Sequence, residues 1–179
     1  MEFRYLQAHE MECRVGTCND NGVSLLLYKD ARCDARVLDE TVGAESWQCR
    51  YYEQKGSLFC SVGIQIAFQD GPQWVWKDDC GTPSNMEAEK GEASDAFKRA
   101  CFKWGLGREL YTAPFIWIPK EKCNIQTGRN GKPTCYDKFR VHKVKVEAGE
   151  IVGLAIANDT KGCMAYTWVK EGHEKHEGD

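Results

Sequence analysis

The chain has 179 residues, of which 42% are apolar and 28% are charged, and these are ordinary values for a globular protein. Its 24 Lys and Arg against 27 Asp and Glu give a net charge of −3, which argues against a histone-like coat of positive charge. No run approaches the ~20 consecutive apolar residues that a membrane span needs. The acidic first residues lack the apolar core of a secretory signal, so we expect a cytoplasmic protein.

Ten cysteines are scattered along the chain without a CxxC pair, so a zinc ribbon or finger is not indicated. In the absence of an export signal we interpret them as reduced thiols, several of which act as small buried apolar residues. His173 and His176 lie in a polar tail, residues 171–179, where we expect no fixed geometry for a metal. We therefore predict no metal and no cofactor.

The first half of the chain alternates turn signals with short periodic runs. Residues 12–28 are predicted to form a hairpin that turns before Gly22. Residues 30–42 predict a helix that Gly43 ends. The expected buried face of this helix consists of Ala31, Ala35, Leu38 and Val42. Three strand-like runs then predict an antiparallel meander over residues 47–53, 58–68 and 73–78.

Residues 85–104 predict a long amphipathic helix. Its apolar stripe has helical spacing and consists of Ala93, Ala96, Phe97, Ala100, Cys101 and Trp104. Ser84 or Asn85 is the candidate N-cap, and Glu87 would complete a capping box with Ser84. Gly105 and Gly107 are expected to end the helix.

Several cations lie off this apolar stripe, and they are Lys90, Lys98, Arg99 and Lys103. A rigid helix that holds cations at fixed spacing is a candidate surface for tracking phosphates. The alternative is an ordinary solvated face, on which Asp95 pairs with Arg99 four residues later. Residues 98–145 carry 12 basic and 3 acidic side chains, which favours a polyanion-binding surface. Whether these cations share one face or scatter over several stays open.

The last third predicts a strand over residues 115–118, a loop over residues 120–137 and a hairpin over residues 139–146 and 150–157. The predicted fold class is α+β, with an antiparallel β-meander, a long helix packed across it as a β-β-β-α core, and an extra C-terminal hairpin. We expect a single domain over residues 1–170, with the basic loop and C-terminal hairpin within residues 114–170.

Motifs of enzymes are missing or weak. No P-loop, GxSxG or HExxH motif occurs, so neither ATP-driven nor hydrolytic chemistry is indicated. Asp78, Asp79 and Asp159 are the candidate metal ligands of a nuclease, although such acids are usually solvated turn residues. The tryptophans offer possible base-stacking surfaces. We expect Trp47 and Trp104 in the core, and we prefer a core position for Trp74 and Trp76.

Two separated motifs carry a family resemblance. One runs from Glu89 through Lys98-Arg99-Ala100 to Leu110-Tyr111, and the other from Tyr28-Lys29-Asp30 through Gly43 to Trp47. Together with the meander between them, they resemble the Rad-fifty-two-type single-strand annealing proteins, in particular the short phage and prophage members. The resemblance covers about residues 23–113. It implies a homo-oligomeric ring or arc with single-stranded DNA in a basic groove around the outside.

The resemblance also implies DNA contacts. They carry onto Lys98 and Arg99, and less directly onto Lys90. An arginine of the eukaryotic relatives aligns with Cys33, so the adjacent Arg32 would take its role, and Phe102 replaces a basic residue beside Lys103. The predicted DNA-binding set is Lys98, Arg99, Arg32, Lys90, Lys103, Arg108 and Arg36.

The implied activity is ATP-independent, non-catalytic annealing of complementary strands in phage or prophage recombination and DNA repair, in a bacterial host cell. Implied partners are single-stranded DNA, further copies of the chain, and a single-strand-binding protein or an exonuclease. Three alternatives stay open: a monomeric module that protects single strands, a metal-dependent nuclease, and a partner-binding protein that counteracts host defence. The basic loop 120–145 is either a second DNA surface or a subunit contact.

Overall fold

A computed structural model of the chain describes residues 1–82 and 88–173, with residues 88–90 described as backbone only. In the described residues the fold is α+β, with two α-helices and antiparallel sheets. The elements in chain order are β1 (Glu12–Asn19), β2 (Gly22–Tyr28), α1 (Ala31–Val42), β3 (Trp47–Gln54), β4 (Ser57–Phe68), β5 (Gly71–Cys80), α2 (Ala88–Trp104), β6 (Ile116–Pro119), β7 (Gln126–Thr127), β8 (Pro133–Thr134), β9 (Phe139–Glu147), β10 (Glu150–Asn158) and β11 (Cys163–Val169). Among the described residues, neither helix has the length and apolar composition of a membrane span.

The chain divides into two compact units. Unit 1 comprises Met1–Arg4 and Asp30–Arg108, and unit 2 comprises Tyr5–Lys29 and Glu109–Asp179. Unit 1 contains α1, α2 and the meander, and unit 2 contains the remaining strands. The expectation of one domain over residues 1–170 stays a prediction.

The core of unit 1 lies between the meander and α2. Strands β3, β4 and β5 pair antiparallel in that order, as predicted. Cys60, Val62 and Ile64 on the central strand are fully buried, and α2 packs on β4 and β5. The indole Nε1 of Trp104 donates a hydrogen bond of 2.9 Å to the Val62 carbonyl, which fixes the end of the helix on the sheet.

Helix α1 begins where predicted. The Asp30 carboxylate accepts a hydrogen bond of 2.7 Å from the Cys33 N–H, which is an N-cap. The expected buried face is only partly confirmed, because Leu38 is the one residue of the four that is buried. The buried set is Cys33, Asp34, Val37 and Leu38. This stripe prevails because the side chains of valine and leucine bury more apolar area than those of alanine.

Helix α2 confirms its predicted end and four of the six residues of its predicted apolar stripe, since Ala93 and Trp104 are half-buried. Ala96, Phe97, Ala100 and Cys101 are buried. The helix ends at Trp104, and the two glycines that follow adopt φ angles of 116° and 67°, a left-handed region that glycine enters without steric cost. The predicted capping residues Ser84, Asn85 and Glu87 lie outside the described residues.

Unit 2 is built on a six-stranded antiparallel sheet in the order β11-β10-β9-β1-β2-β6. Both predicted hairpins are confirmed, and they join through the pairing of Glu12 in β1 with Arg140 in β9. The short strand β6 lies one residue later than predicted. The sequence patterns missed β11, which pairs along β10 and makes the C-terminal hairpin a three-stranded run.

The loop after β6 is anchored by one buried amide. Asn158 is fully buried, and its Nδ2 donates to the Lys122 carbonyl at 3.0 Å and to Asp137 at 2.7 Å. Asn124 donates two further hydrogen bonds to Asp137. Burial acts to raise the pKa of Asp137, but the hydrogen bonds from Asn158 and Asn124 outweigh it and hold that pKa below its usual range.

All ten cysteines are free thiols. Five of them are buried, namely Cys33, Cys60, Cys101, Cys123 and Cys135. The interpretation of several cysteines as small buried apolar residues is therefore confirmed.

Candidate nucleic-acid interface

Four of the predicted site residues gather along and just beyond the second half of α2. We refer to them as the α2 cluster, and they are Lys98, Arg99, Lys103 and Arg108. Arg99, Lys103 and Arg108 are exposed and Lys98 is half-buried, since all four lie off the buried stripe. Lys98 makes no ion pair or hydrogen bond to any residue that the structure describes. The cluster therefore presents cations to solvent from a rigid element.

One carboxylate lies against two of these cations. Asp79 of β5 is 3.3 Å from Nη2 of Arg99 and 3.5 Å from Nζ of Lys103. Burial acts to raise the pKa of Asp79, but the Cys80 N–H and the two cations outweigh it, so that pKa lies below its usual range. Asp79 thus orients Arg99 and Lys103 and neutralises one positive charge of the pair.

Two acids in the first half of α2, Glu92 and Asp95, bind backbone amides. Glu92 accepts a hydrogen bond of 3.1 Å from the Leu58 N–H, and Asp95 accepts one of 3.0 Å from the Thr82 N–H. The sequence allowed Asp95 to pair with Arg99, but Arg99 pairs with Asp79 instead. In the part of α2 whose side chains are described, the helix is consequently polarised, with Glu92 and Asp95 engaged in its first half and cations exposed towards its end.

The end of α2 collects a further cation that the sequence analysis missed. Lys77 of β5 donates a hydrogen bond of 2.9 Å to the Lys103 carbonyl, and its Nζ lies 4.4 Å from the Trp104 ring centroid. Arg108 donates to the carbonyls of Phe102 and Lys103 at 2.9 and 2.8 Å. Cations at a helix C-terminus satisfy free carbonyls and complement the helix dipole. Lys77 alternates along β5 with Trp76, so strand periodicity predicts Lys77 on the α2 side only once Trp76 is known to face away from the helix.

Three predicted site residues remain, namely Arg32 and Arg36 on α1, and Lys90. Arg32 and Arg36 are exposed one turn apart, whereas Cys33, which aligns with an arginine of eukaryotic relatives, is buried. Arg32 makes no ion pair or hydrogen bond to a described residue. The side chain of Lys90 lies outside the described residues.

The three acids considered as nuclease ligands are engaged with other side chains. Asp78 accepts hydrogen bonds from the hydroxyls of Ser61 and Tyr52. Asp79 pairs with two cations of the α2 cluster, and Asp159 accepts two hydrogen bonds of 3.1 Å from Arg140. Among the residues that the structure describes, no three His, Cys, Asp or Glu side chains group as a metal site would require.

The basic segment 98–145 is divided between the two units. The α2 cluster belongs to unit 1, and the other cations of the segment belong to unit 2. The eight cations of the segment that belong to unit 2 are all exposed, and they are Lys120, Lys122, Arg129, Lys132, Lys138, Arg140, Lys143 and Lys145. On β9, Arg140 pairs with Asp159 and Lys145 pairs with Glu147 at 2.7 Å.

The preferred core position of Trp74 and Trp76 is wrong. Lys77 and Val62 form a cross-strand pair on the side of the sheet that faces α2, so the neighbouring pair of Trp76 and Gly63 faces the opposite side. Trp74 is 38% exposed and Trp76 is half-buried. Tryptophan occurs often in cores, but here strand alternation decides the side. Trp47 and Trp104 are half-buried on the α2 side, where Trp47 lies 6.0 Å from Phe97.

A family comparison accounts for most of the chain. Residues 4–129 match the model of the Rad52/22 family double-strand break repair protein. No curated protein and no solved structure matches the chain. The matched region includes α1, the meander, α2 and the α2 cluster, and it spans more than two thirds of the 179 residues. The chain therefore belongs to the Rad52/22 family of double-strand break repair proteins.

Proposed function

We propose that this chain binds single-stranded DNA through the α2 cluster and anneals complementary strands in recombination and repair. The observation that carries the proposal is the polarisation of α2, on which Glu92 and Asp95 bind backbone amides and the cations of the α2 cluster reach solvent. Membership of the Rad52/22 family supports the same activity.

The chemistry of the cluster suits a strand whose sequence is not read. Arginine and lysine bind phosphate oxygens, which leaves the base edges free to test a complement. Arg99 and Lys103 are held by Asp79, so less side-chain entropy is lost when a phosphate binds. Lys98 is not tied to a described carboxylate and brings an unbalanced positive charge.

The full proposed DNA-binding set keeps every residue predicted from the sequence, and it is Lys98, Arg99, Arg32, Lys90, Lys103, Arg108 and Arg36. Arg32 and Arg36 would extend the binding surface along the exposed side of α1. We further propose that the protein acts without ATP, as a homo-oligomeric ring or arc, in a phage or prophage recombination system. Its partners would then include a single-strand-binding protein or an exonuclease.

The test is annealing of two complementary fluorescent oligonucleotides without ATP or magnesium, across a salt series, with sedimentation to report the assembly state. We expect an oligomer that accelerates annealing, with an acceleration that fades as salt rises because phosphate contacts release counterions. Tight binding by a monomer that blocks annealing would instead identify a protective module. Magnesium-dependent cleavage lost on changing Asp78, Asp79 or Asp159 would identify a nuclease.

A further inference from the structure

The side of the meander opposite α2 carries a group of two aromatic pairs and one guanidinium. We refer to this group as the outer aromatic face, and it consists of Arg50, Tyr52, Phe59, Trp74 and Trp76. All five belong to unit 1. We infer that the outer aromatic face is a second binding surface for single-stranded nucleic acid, on which unpaired bases stack; this inference rests on the proposed function.

Cross-strand register brings these side chains together. Tyr52 pairs directly with Phe59, and their rings stack at 5.4 Å with 17° between the planes. Trp74 and Trp76 follow each other on the same side of β5, with ring centroids 6.0 Å apart. The guanidinium carbon of Arg50 lies 4.1 Å from the Trp76 ring centroid. Arg50 and Trp76 are therefore in cation–π contact.

A glycine lets the indole of Trp76 lie across the central strand. Gly63 is the cross-strand partner of Trp76, and a Cβ at that position would lie 2.7 Å from the indole carbons. Real Cβ atoms do not approach so closely, so any larger residue would push the indole off the sheet. The flat position of Trp76 depends on Gly63, and so does the position of Arg50 above it.

The face offers both features that an unpaired nucleotide recognises. Trp74 and Tyr52 are each 38% exposed, so their rings are accessible to a base. The rings of Trp74 and Trp76 are too close to hold a base between them, since that would need about twice the ~3.4 Å stacking distance of bases. A base therefore stacks on the outward side of Trp74.

Charge complementarity selects a nucleotide rather than an apolar partner. Arg50 is exposed and makes no ion pair with a carboxylate that the structure describes, so its charge is available to a phosphate. Asp78 also lies on this side and keeps its charge, and its carboxylate accepts hydrogen bonds from the hydroxyls of Ser61 and Tyr52, so a phosphate is favoured beside Arg50 and Trp76 rather than beside Asp78. Aromatic rings combined with arginine are the features by which proteins bind single strands without reading sequence.

The experiment compares two strands of equal length and equal phosphate number, an oligothymidylate and the same backbone without bases. We measure the affinity of each by fluorescence anisotropy for the wild type, Trp74→Ala, Trp74→Phe and Phe115→Ala. Phe115 is a matched control because it is an aromatic side chain, 77% exposed, outside this face and outside the basic loop 120–145. We expect Trp74→Ala to weaken binding of the oligothymidylate about tenfold, the scale of one lost base–aromatic stack. Binding of the abasic strand should stay within about twofold, and Trp74→Phe should restore most of the affinity because it keeps a ring.

The outcomes separate this inference from the proposed function. If the wild type prefers the oligothymidylate no more than the abasic strand, and Trp74→Ala changes neither affinity, the outer aromatic face does not bind bases. The proposed function would survive that result, provided that Lys98→Ala still lowers the affinity for both strands. If Trp74→Ala changes only the sedimentation of the protein, the face joins copies of the chain and the inference is overturned. Failure of the wild type to bind either strand would overturn both proposals.

Discussion

The α2 cluster and strand β9 are both rich in exposed cations, but their charges are balanced differently. In the α2 cluster, Arg99 and Lys103 share the single carboxylate of Asp79. On β9, Arg140 meets both oxygens of Asp159 at 3.1 Å, and Lys145 has its own partner in Glu147. The α2 cluster keeps an excess of positive charge, whereas Arg140 and Lys145 of β9 are each neutralised by a carboxylate of their own.

This difference shows that the density of cations in a sequence does not predict the charge available to a ligand. Arg99 pairs with Asp79, which lies 20 residues away in the chain. Arg140 pairs with Asp159, which lies 19 residues away. A cation already held by its own carboxylate must lose that partner or share it before it binds a phosphate. We therefore expect binding of single-stranded DNA to depend on the α2 cluster far more than on β9. The following measurements test this expectation.

The largest effect is expected from the double variant Lys98→Ala and Arg99→Ala. It removes the unpartnered cation and one that shares its carboxylate, so the annealing rate should fall about tenfold or more at moderate salt. Annealing of complementary fluorescent oligonucleotides measures the loss. Thermal unfolding should be almost unchanged, because neither side chain contributes to the buried stripe of α2.

The matched control for this variant is Arg140→Ala with Lys145→Ala, which removes the same number of charges from β9. Its annealing rate should stay within about threefold of the wild type, since each of these cations already faces a carboxylate. An equal loss in both double variants would contradict the comparison and show that only total charge matters.

A gain is expected from Asp79→Asn. The substitution removes the one carboxylate that balances Arg99 and Lys103, so affinity for single-stranded DNA should rise about fivefold, the effect of one unit charge at ~4 Å in water. Fluorescence anisotropy at low salt measures the change. The corresponding β9 variant, Asp159→Asn, frees Arg140 in the same way and should leave affinity unchanged. A gain from Asp159→Asn alone would move the binding surface to β9.

A smaller effect is expected on the salt dependence of binding. For single strands the logarithm of the binding constant falls with the logarithm of salt by about 0.7 for each phosphate contact. Lys98→Ala should therefore reduce the slope by about 0.7, whereas Lys145→Ala should leave it unchanged. Anisotropy titrations at several salt concentrations give both slopes. A constant slope for Lys98→Ala would mean that this side chain does not contact phosphate.

The smallest effect on binding, with a distinct effect on stability, is expected at Asp137. The pKa of this carboxyl is lowered in the folded state, so its stabilisation is present above its unfolded pKa of about 3.9 and is lost as pH falls through the folded value. Urea midpoints between pH 6 and pH 3 should decline for the wild type. Asp137→Asn should begin lower and decline less, with unchanged affinity for DNA at neutral pH. Parallel declines of the two proteins would show that Asp137 is not responsible.

Local patterns predicted the hairpins, the meander, both helices and the end of α2, because turn residues and apolar periods act over a few residues. They missed β11, whose pairing with β10 depends on a partner strand rather than on a strong alternation of its own. They also misplaced Trp74 and Trp76, since composition favours the core for tryptophan while register placed both on the side away from α2.

Strand β9 illustrates why the basic segment could not be interpreted from sequence alone. Its pairing with β10 skips His142, which forms a bulge between Val141 and Lys143. The extra residue reverses the alternation of buried and exposed side chains along the strand. Arg140 is exposed before the bulge, and Lys143 and Lys145 are exposed after it. A regular strand would have divided these three cations between its two faces.

By itself, the sequence determined most of the elements, the family resemblance and the presence of cations off the buried stripe of α2, because these depend on residues close together in the chain. Only the tertiary structure decided which carboxylate faces each cation, which side of the meander is buried, and how the basic segment is divided between the two units. These features depend on contacts between residues far apart in the chain, and no local pattern specifies such contacts.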